Sequence, residues 1–217
     1  MDPQKMKELD MPIKPYHHGD LKNALIQAGI DILAHEGVHG LSLRKVARKA
    51  GVSHSAPYSH FTDKQGLIAA ISTAGYDRIR ESVERVSKVY QDDPLQLLVR
   101  TGWEYVQFAL DDPDLFKITF SGVVEKEKDY PALVEAAQKS FGLFVQIVAR
   151  CQAEGILRAG PVDLTALGVW ASIHGMLILR LDGQVSHTIL ENNSWQQMLI
   201  HSLGQLTLVP IPNNILE

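Results

Sequence analysis

Apolar side chains recur at intervals of three and four residues along most of this chain, and no segment alternates apolar and polar residues for long. This is the period of an α-helix with one buried face, so the pattern predicts an all-α protein. The helices are expected at residues 20–36, 42–50, 54–61, 64–90, 94–111, 113–120, 131–155, 163–183 and 194–208.

Proline, glycine and acidic residues separate these helices. Asp93 and Pro94 make the clearest break, because proline is well tolerated only in the first turn of a helix. Asp20 is expected to cap the first helix and Gly37 to end it. The helix at 64–90 is long enough to span two domains, either as a rod that carries movement or as a static brace. The predicted division is a flexible arm at 1–18, a domain at 19–65 and a larger helical domain at 66–217.

The segment 41–67 carries two short helical pieces with a tight turn between them. Ser42 can cap the first piece, whose apolar stripe leaves four basic side chains to one side. Gly51 ends that piece, because a left-handed conformation costs little only for glycine. Ser53 can cap the second piece, 54–61, whose small polar side chains can approach base edges and phosphates closely. Two interpretations fit this pattern: a DNA-binding helix-turn-helix, or an ordinary helical hairpin with a solvated basic face.

Four separated motifs occur here in order: Ser42-Leu43-Arg44-Lys45-Val46-Ala47, Ala50-Gly51-Val52-Ser53, Tyr58-Ser59-His60-Phe61 and Asp63-Lys64-Gln65-Gly66-Leu67. Together they resemble the DNA-binding region of the tetracycline-repressor-like (TetR/AcrR) family, over roughly residues 20–74. The resemblance implies a three-helix DNA-binding domain followed by an all-helical ligand-binding and dimerisation domain. It further implies a cytoplasmic homodimer that binds double-stranded DNA at a palindromic operator, usually as a repressor that responds to a small-molecule effector.

The family positions, together with side-chain reach, also assign candidate DNA contacts. Arg44 is expected near a base edge or a phosphate, since arginine serves both roles in protein–DNA complexes. Small side chains of the second piece are expected to face bases, and its larger polar ones to hold phosphates. The complete candidate set is Ser42, Arg44, Ser53, His54, Ser55, Ala56, Tyr58, Ser59, His60 and Lys64.

The net charge of −4 is unevenly distributed along the chain. Residues 1–65 carry nine Lys/Arg against seven Asp/Glu, whereas residues 66–217 carry twelve against eighteen. Within residues 41–65, five basic side chains accompany one acidic side chain. A compact basic patch on an acidic body fits a DNA-binding protein, and the acidic remainder argues against general polyanion binding.

The second domain carries aromatic side chains on several helices, more than a core of this size needs. Because largely apolar pockets lie between the helices of bundles, a small apolar effector is expected there; core packing is the alternative for each residue. The candidates are Trp103, Phe108, Phe116, Phe120, Phe144, Trp170 and His174. The run Trp170-Ala171-Ser172-Ile173-His174-Gly175 also resembles the Trp-x-x-x-His-Gly signature of one subgroup of the family. The charged loop at 121–130 is the expected entrance.

Apolar residues near the C-terminus predict an interface between two copies. The interface would be a four-helix bundle made by the helices at 163–183 and 194–208 of both copies. The alternative is that these residues pack entirely inside one subunit. The candidates are Leu177, Leu181, Trp195, Leu199, Leu203 and Leu206.

Other functional classes find little support in the sequence. No nucleophile elbow, paired metal-binding carboxylates or phosphate-binding loop indicates an enzyme, and no cofactor is expected. His35, Glu36 and His39 could suggest a metal site, but Gly37 ends the helix between them, so solvated side chains are favoured. No signal peptide or membrane-length apolar run is apparent, and the single cysteine, Cys151, suits a reducing cytoplasm. An all-helical enzyme and an architectural DNA-binding protein without an effector are the alternatives.

Overall fold

The computed structural model of this protein describes residues 18–217. The arm predicted at 1–18 lies outside this range, except for His18, where the first helix begins. The described residues form α-helices and two short 3₁₀ helices, Ala56–Ser59 and Glu127–Asp129, and contain no β-strand, only one bridge between Leu157 and Thr207. The all-α prediction is therefore confirmed. The α-helices are α1 (His18–Gly40), α2 (Leu43–Lys49), α3 (Lys64–Val89), α4 (Pro94–Asp111), α5 (Pro113–Phe120), α6 (Pro131–Ala153), α7 (Val162–Leu181), α8 (His187–Asn192) and α9 (Trp195–Gly204).

The first helix differs from its prediction at its start. It begins at His18, so Asp20 lies inside α1 and not at the position before its first residue. Gly37 breaks the helix where expected, because its φ of 66° and ψ of −173° are not helical. A last short turn then reaches Gly40. This break directs the chain into α2.

Side-chain caps fix the starts of the next helices. The Ser42 hydroxyl accepts from the Lys45 N–H at 3.2 Å and begins α2. The Asp63 carboxylate accepts from the Gly66 N–H at 2.8 Å and begins α3. Both caps agree with the sequence pattern, because each satisfies an amide that has no partner within the first turn.

Helix α3 forms the centre of the fold. Its buried stripe includes Leu67, Ile68 and Ile71, which are fully buried, and continues through Val86. The beginning of α3 packs on α1, and the rest of it packs on α4, α5 and α6. The apolar core therefore runs without interruption from the helix-turn-helix into the larger helical bundle.

Helix α5 approaches α3 very closely at Gly75. A Cβ atom placed on Gly75 would lie only 1.9 Å from the Thr119 hydroxyl oxygen. Thr119 is buried, and its hydroxyl donates to the Leu115 carbonyl at 2.7 Å. Only glycine fits at this crossing. Because α5 also packs on α1, it lies between the N-terminal helices and the rest of the bundle.

The C-terminal region departs from the predicted pattern. Helix α9 ends at Gly204, not near Leu208, because the chain beyond it pairs with the segment that follows α6: the Leu208 N–H donates to the Ile156 carbonyl at 2.8 Å. The short helix α8 was not predicted, since its six residues are too few to show a helical period.

The predicted interface residues largely face inwards. Leu177, Leu199 and Leu203 are completely buried within this one chain, which corrects their assignment to an interface between copies. They pack where α7 and α9 meet and where α9 meets α4. Of the predicted set, Leu206 is exposed.

Two helices, α6 and α7, are long and apolar enough to cross a membrane by length and composition alone. The expectation that no apolar run approaches this length is therefore wrong by that criterion. Helices that pack in a protein core meet the same criterion, and α6 and α7 pack against each other here. Composition alone is weak evidence for insertion.

Cys151 has a structural role. Its side chain is buried, and the thiol donates to the Pro94 carbonyl at 3.3 Å. Burial raises the pKa of this thiol to about 12, so it remains neutral at physiological pH. A neutral buried thiol behaves as a small apolar side chain that joins α6 to the start of α4.

Candidate functional site

The turn after α2 has the geometry expected of a helix-turn-helix. Gly51 has a φ of 69°, and the Val52 N–H donates a hydrogen bond to the Ala47 carbonyl at 3.0 Å. Val46 and Ala47 are fully buried against α1, so α2 holds the turn in a fixed position.

The second piece of the hairpin is shorter than the helix predicted at 54–61. It is a 3₁₀ helix, Ala56–Ser59, stabilised mainly by bonds to the third preceding carbonyl. Pro57 explains the difference, because it has no N–H and disfavours a helical conformation in the residue before it. Ser53 does not cap this helix: its hydroxyl bonds with that of Ser55 at 3.1 Å.

Most candidate DNA contacts of this hairpin are exposed. Tyr58 is the most prominent, with 55% of its surface exposed. The Ser59 hydroxyl donates to the Ala56 carbonyl at 2.7 Å, which leaves its oxygen lone pairs available to accept. The exposed candidates are Ser42, Arg44, Ser53, His54, Ser55, Tyr58 and Ser59, and the half-buried ones are Ala56, His60 and Lys64.

The four basic side chains of α2 fall into two groups, according to whether they form an ion pair. Lys45 pairs with Glu36 and Lys49 pairs with Asp31, so both are held against α1. Arg44 and Arg48 are exposed, and neither makes an ion pair within residues 18–217. Arginines in this state are available to phosphates or guanine. Arg48 was not among the predicted DNA contacts. Its position one helical turn after Arg44 places it on the same face of α2, and this spacing could have identified it.

Lys64 lies at the first residue of α3, beside the hairpin. Its ammonium group donates to the Val38 carbonyl at 3.3 Å and remains partly exposed. This bond connects the start of α3 to the chain between α1 and α2. An ammonium group has three protons, so Lys64 can also contact a phosphate.

A second candidate site is a cavity of about 180 Å³ inside the helical bundle. Helices α3, α4, α6 and α7 form its walls, together with the last residue of α5. Of the predicted effector contacts, Phe120, Phe144 and Trp170 line it. The remaining lining residues are Tyr76, Ile79, Val83, Thr101, Gly102, Tyr105, Ala137, Ser140, Phe141 and Ile173.

The other predicted contacts do not border this cavity. Phe116 is fully buried and packs edge-on against Tyr105 and Phe108 at centroid distances of 5.3 and 5.6 Å. Phe108 continues the cavity-facing stripe of α4, but α5 covers it there. Trp103 is partly buried against the core. Sequence periodicity identified the apolar faces and could not show which part of each face another helix covers.

His174 also lies behind the cavity wall, in a hydrogen-bonded group with two lining residues. The Trp170 indole N–H donates to the Tyr105 hydroxyl at 3.0 Å, and that hydroxyl lies 2.9 Å from His174 Nδ1. Burial raises the pKa of Tyr105 and lowers the pKa of His174, so both side chains are neutral at pH 7. A neutral imidazole can accept the Tyr105 proton at Nδ1 or donate from it, according to its tautomer. This group fixes the orientation of Trp170 in the wall.

One polar group of the wall has no partner. Thr101 is only 5% exposed, and its hydroxyl makes no hydrogen bond within the described chain. Burying an unpaired hydroxyl is unfavourable, so this group would be stabilised by a hydrogen-bonding partner.

The loop predicted as an entrance does not line the cavity. The Glu125 N–H donates to the Gln65 side chain at 3.1 Å, and Val124 is buried. Tyr130 lies near Gly66. The loop therefore docks on the first turn of α3, next to Lys64.

A larger cleft of about 730 Å³ lies between α3 and α6, but its chemistry differs. Its charged side chains already pair with one another: Arg80 bonds Glu84 at 2.6 Å, and Lys139 bonds Glu135 at 2.6 Å. Such a surface is well solvated and offers no enclosed apolar volume. The smaller apolar cavity is the better candidate for a ligand.

Two of the side chains considered as metal ligands, His35 and Glu36, have other contacts. His35 Nδ1 bonds the Asp31 carbonyl at 2.7 Å, and Glu36 pairs with Lys45. Across residues 18–217, no three His, Cys, Asp or Glu side chains come together as a metal site would require.

Comparison with known families identifies both regions. Residues 25–71 match the family model described as bacterial regulatory proteins, tetR family, and residues 98–201 match the tetracyclin repressor-like, C-terminal domain. The first match contains the hairpin, and the second contains α5, α6, most of α4, all of α7 and α8, and most of α9.

Individual relatives agree with these matches. The chain is 42% identical over 52 residues to the tetracycline repressor protein class A from transposon 1721 of Escherichia coli, a stretch that covers 24% of each protein. It is 23% identical over 165 residues, 71% of each protein, to the HTH-type transcriptional regulator SrpR of Pseudomonas putida.

Solved structures share the fold along most of the chain. A protein of unknown function from Rhodococcus sp. RHA1 is 31% identical, with a TM-score of 0.71, and the match covers 88% of this chain and 96% of that one. The TetR family transcriptional regulator PfmR from Thermus thermophilus has a TM-score of 0.65 over 84% of this chain and 96% of that one. At 17% identity, the second match supports the fold alone.

Proposed function

Because the chain belongs to the TetR family of DNA-binding transcriptional regulators, we propose that it is a repressor that leaves a palindromic operator when an effector binds. In this proposal the repressor binds its operator as a homodimer in the cytoplasm, and the effector is a small, largely apolar molecule that enters the cavity in the bundle. Residues 19–65 form the DNA-binding domain, and residues 66–217 form the domain for effector binding and dimerisation. The family consists of DNA-binding transcription factors, so the prediction of a non-enzymatic protein is confirmed.

The observation that carries this proposal is the path of α3. Its first residue, Lys64, lies beside the DNA-binding hairpin, whereas Tyr76, Ile79 and Val83 line the cavity. From Lys64 to Ile79 the helix rises about 22 Å at 1.5 Å per residue. One rigid helix therefore connects both sites, so a change in how α3 packs around the cavity changes the position of the hairpin.

Helix α5 supports the same connection. Phe120 at its end lines the cavity, while other residues of α5 pack on α1. The close crossing at Gly75 holds α5 against α3. An effector that displaces Phe120 would thus act on the DNA-binding domain through two helices. Such an effector lowers operator affinity only if it prefers the conformer with wrongly spaced hairpins.

Two arginines provide the principal DNA contacts in this proposal. Arg44 and Arg48 are exposed on α2 and have no intramolecular ion pair in the described residues. Tyr58, His60 and Lys64 contact phosphates, and the small side chains of the 3₁₀ helix face bases. If Arg44 pairs with guanine, Arg44→Ala should cost about 1–3 kcal/mol of operator binding.

The homodimer forms through the outer face of α7. Leu164, Leu167 and Leu179 on this face are 66%, 47% and 47% exposed, which is unusual for leucine. Gly168 has no atom within 4 Å of an added Cβ, so a partner helix can approach closely there. An apolar groove between α7, α8 and α9 continues this face. A twofold arrangement would place two hairpins about 34–36 Å apart, or a multiple of that distance, on one side of DNA.

Selection from a random double-stranded DNA library tests this proposal. The full chain should enrich one inverted repeat, and Arg44→Ala should lose affinity for it. Arg158→Ala is the matched control, because Arg158 is an exposed arginine between α6 and α7 and should leave binding unchanged. Lys64→Ala should weaken all sequences alike and lower the salt slope by about one. Binding without sequence preference would indicate an architectural protein instead, and no binding would reject the proposal.

A further inference from the structure

We infer that the effector is an uncharged molecule with a single aromatic ring and one hydroxyl-type group, and that Thr101 is its hydrogen-bonding partner. This inference rests on the proposed function of the cavity as the effector site. It goes further by specifying the charge, the size and the polar group of the molecule.

The charge follows from the residues of the wall. None of the residues that line the cavity is Asp, Glu, Lys, Arg or His. His174 lies behind the wall, and its Nδ1 is already hydrogen-bonded to the Tyr105 hydroxyl. An ionised ligand would have to leave water without gaining an opposite charge, which is strongly unfavourable. The cavity therefore selects a neutral molecule.

The size and shape follow from the volume and the aromatic side chains. A cavity of about 150 Å³ in another protein accepts benzene, so the 180 Å³ found here suits one ring with a small substituent. Phe141 and Trp170 lie 6.0 Å apart at an interplanar angle of 58°, and Phe120 lies 6.1 Å from Trp170. Tilted rings at these distances present both faces and edges to an aromatic guest.

The polar group follows from the hydrogen bonds that the wall already makes. Tyr105 and Trp170 are satisfied by each other and by His174. Ser140 and Tyr76 also border the cavity, but both are partly exposed and can bond with water. Thr101 is left as the buried hydroxyl of the wall that has no partner in the described chain.

Other helical threonines show that this state is unusual in this protein. Thr73 and Thr119 both donate to the carbonyl four residues earlier at 2.7 Å, and Thr165 does so at 3.1 Å. Threonine in a helix commonly makes this bond. Thr101 lies within α4 and borders the cavity, yet its hydroxyl makes no such bond. A ligand hydroxyl would complete its hydrogen bonding.

Three probes of similar size test the inference: phenol, toluene and benzoate. Their binding to the full chain is followed by calorimetry and by tryptophan fluorescence, since Trp170 lines the cavity. Phenol should bind, and benzoate should not bind over the same concentration range. Thr101→Val should weaken phenol about five- to tenfold and leave toluene unchanged, because only phenol loses a hydrogen bond. Thr73→Val, outside the cavity, should alter neither.

Several results would overturn the inference: benzoate binding as tightly as phenol, equal effects of Thr101→Val on phenol and toluene, or no binding of any probe. If Thr101→Val does not fold, Thr101→Ser replaces it and should retain phenol binding, whereas Thr101→Ala should weaken it. Operator release separates this inference from the proposed function. If phenol binds but does not release the operator, the proposed switch is rejected and the inference about the cavity stands. If a charged compound fills the cavity and releases the operator, the inference is rejected and the proposed switch stands.

Discussion

The crossing of α3 and α5 provides a sharp test of the packing described above. Gly75→Ala would place a methyl group 1.9 Å from the Thr119 hydroxyl and 2.9 Å from its Cβ. Both distances are far below van der Waals contact, and Thr119 is buried on a helix that is packed on two sides. Overpacking of this kind costs about 1–3 kcal/mol, and the short contact favours the upper end. Replacing glycine by alanine within a helix stabilises the folded state by about 1 kcal/mol through helix propensity. We therefore expect a net loss of about 2 kcal/mol in the free energy of unfolding.

Gly142→Ala is the matched control. Gly142 also lies inside a long helix, α6, but an added Cβ there meets no atom within 4 Å. This variant should gain about 0.5–1 kcal/mol from helix propensity alone. Urea unfolding followed by circular dichroism and by tryptophan fluorescence measures both variants, and coincident transitions justify a single free energy. If Gly75→Ala proves as stable as Gly142→Ala, the close crossing of α3 and α5 is wrong. Adding Thr119→Ala to Gly75→Ala should recover part of the loss, since it removes the atom in closest contact.

Three further predictions concern other parts of the molecule. Ser42→Ala should cost about 1 kcal/mol of stability in urea unfolding because it removes the cap of α2, whereas Ser53→Ala, which removes no cap, should cost less. Burial lowers the pKa of His174 below its usual 6.5, so the unfolded chain binds more protons as the pH falls from that value. The free energy of unfolding should therefore decrease as the pH is lowered below 6.5. His174→Gln should flatten this pH dependence, and an unchanged profile would exclude this histidine as its source. Leu167→Glu should give a monomer in sedimentation at micromolar concentration, whereas Val89→Glu, at an even more exposed apolar site on α3, should remain dimeric. A dimeric Leu167→Glu variant would reject the α7 interface.

The helical periods and caps were enough to predict most of the fold. The stripe from Leu67 to Val86 is buried as its spacing indicates, and Ser42 and Pro94 begin helices where they were expected to. Local chemistry suffices here, because a cap or a proline acts within one turn. One exception is the second piece of the hairpin, where Pro57 removes a backbone donor and a 3₁₀ helix forms instead of an α-helix.

The sites were harder to predict, because they depend on which helices meet. Phe120, Phe144 and Trp170 line the cavity, whereas Phe108 and Phe116 have similar helical spacing and pack in the core. The same limit applies to the interface. Leu177, Leu199 and Leu203 form a regular apolar face that turns out to be covered by the chain itself. Thr101 has no signal in the sequence, since its importance lies in a missing hydrogen bond.

A comparison of operator affinity with and without a bound effector tests the central proposal most directly. The operator obtained by DNA selection would be titrated with the full chain, alone and with a compound that changes the tryptophan fluorescence. We predict that the compound weakens operator binding about 5–150-fold, which corresponds to a coupling of about 1–3 kcal/mol. By thermodynamic reciprocity, the operator should weaken binding of the compound by the same factor. A compound that occupies the cavity, yet binds equally well to the free protein and to the protein–operator complex, would contradict the proposal.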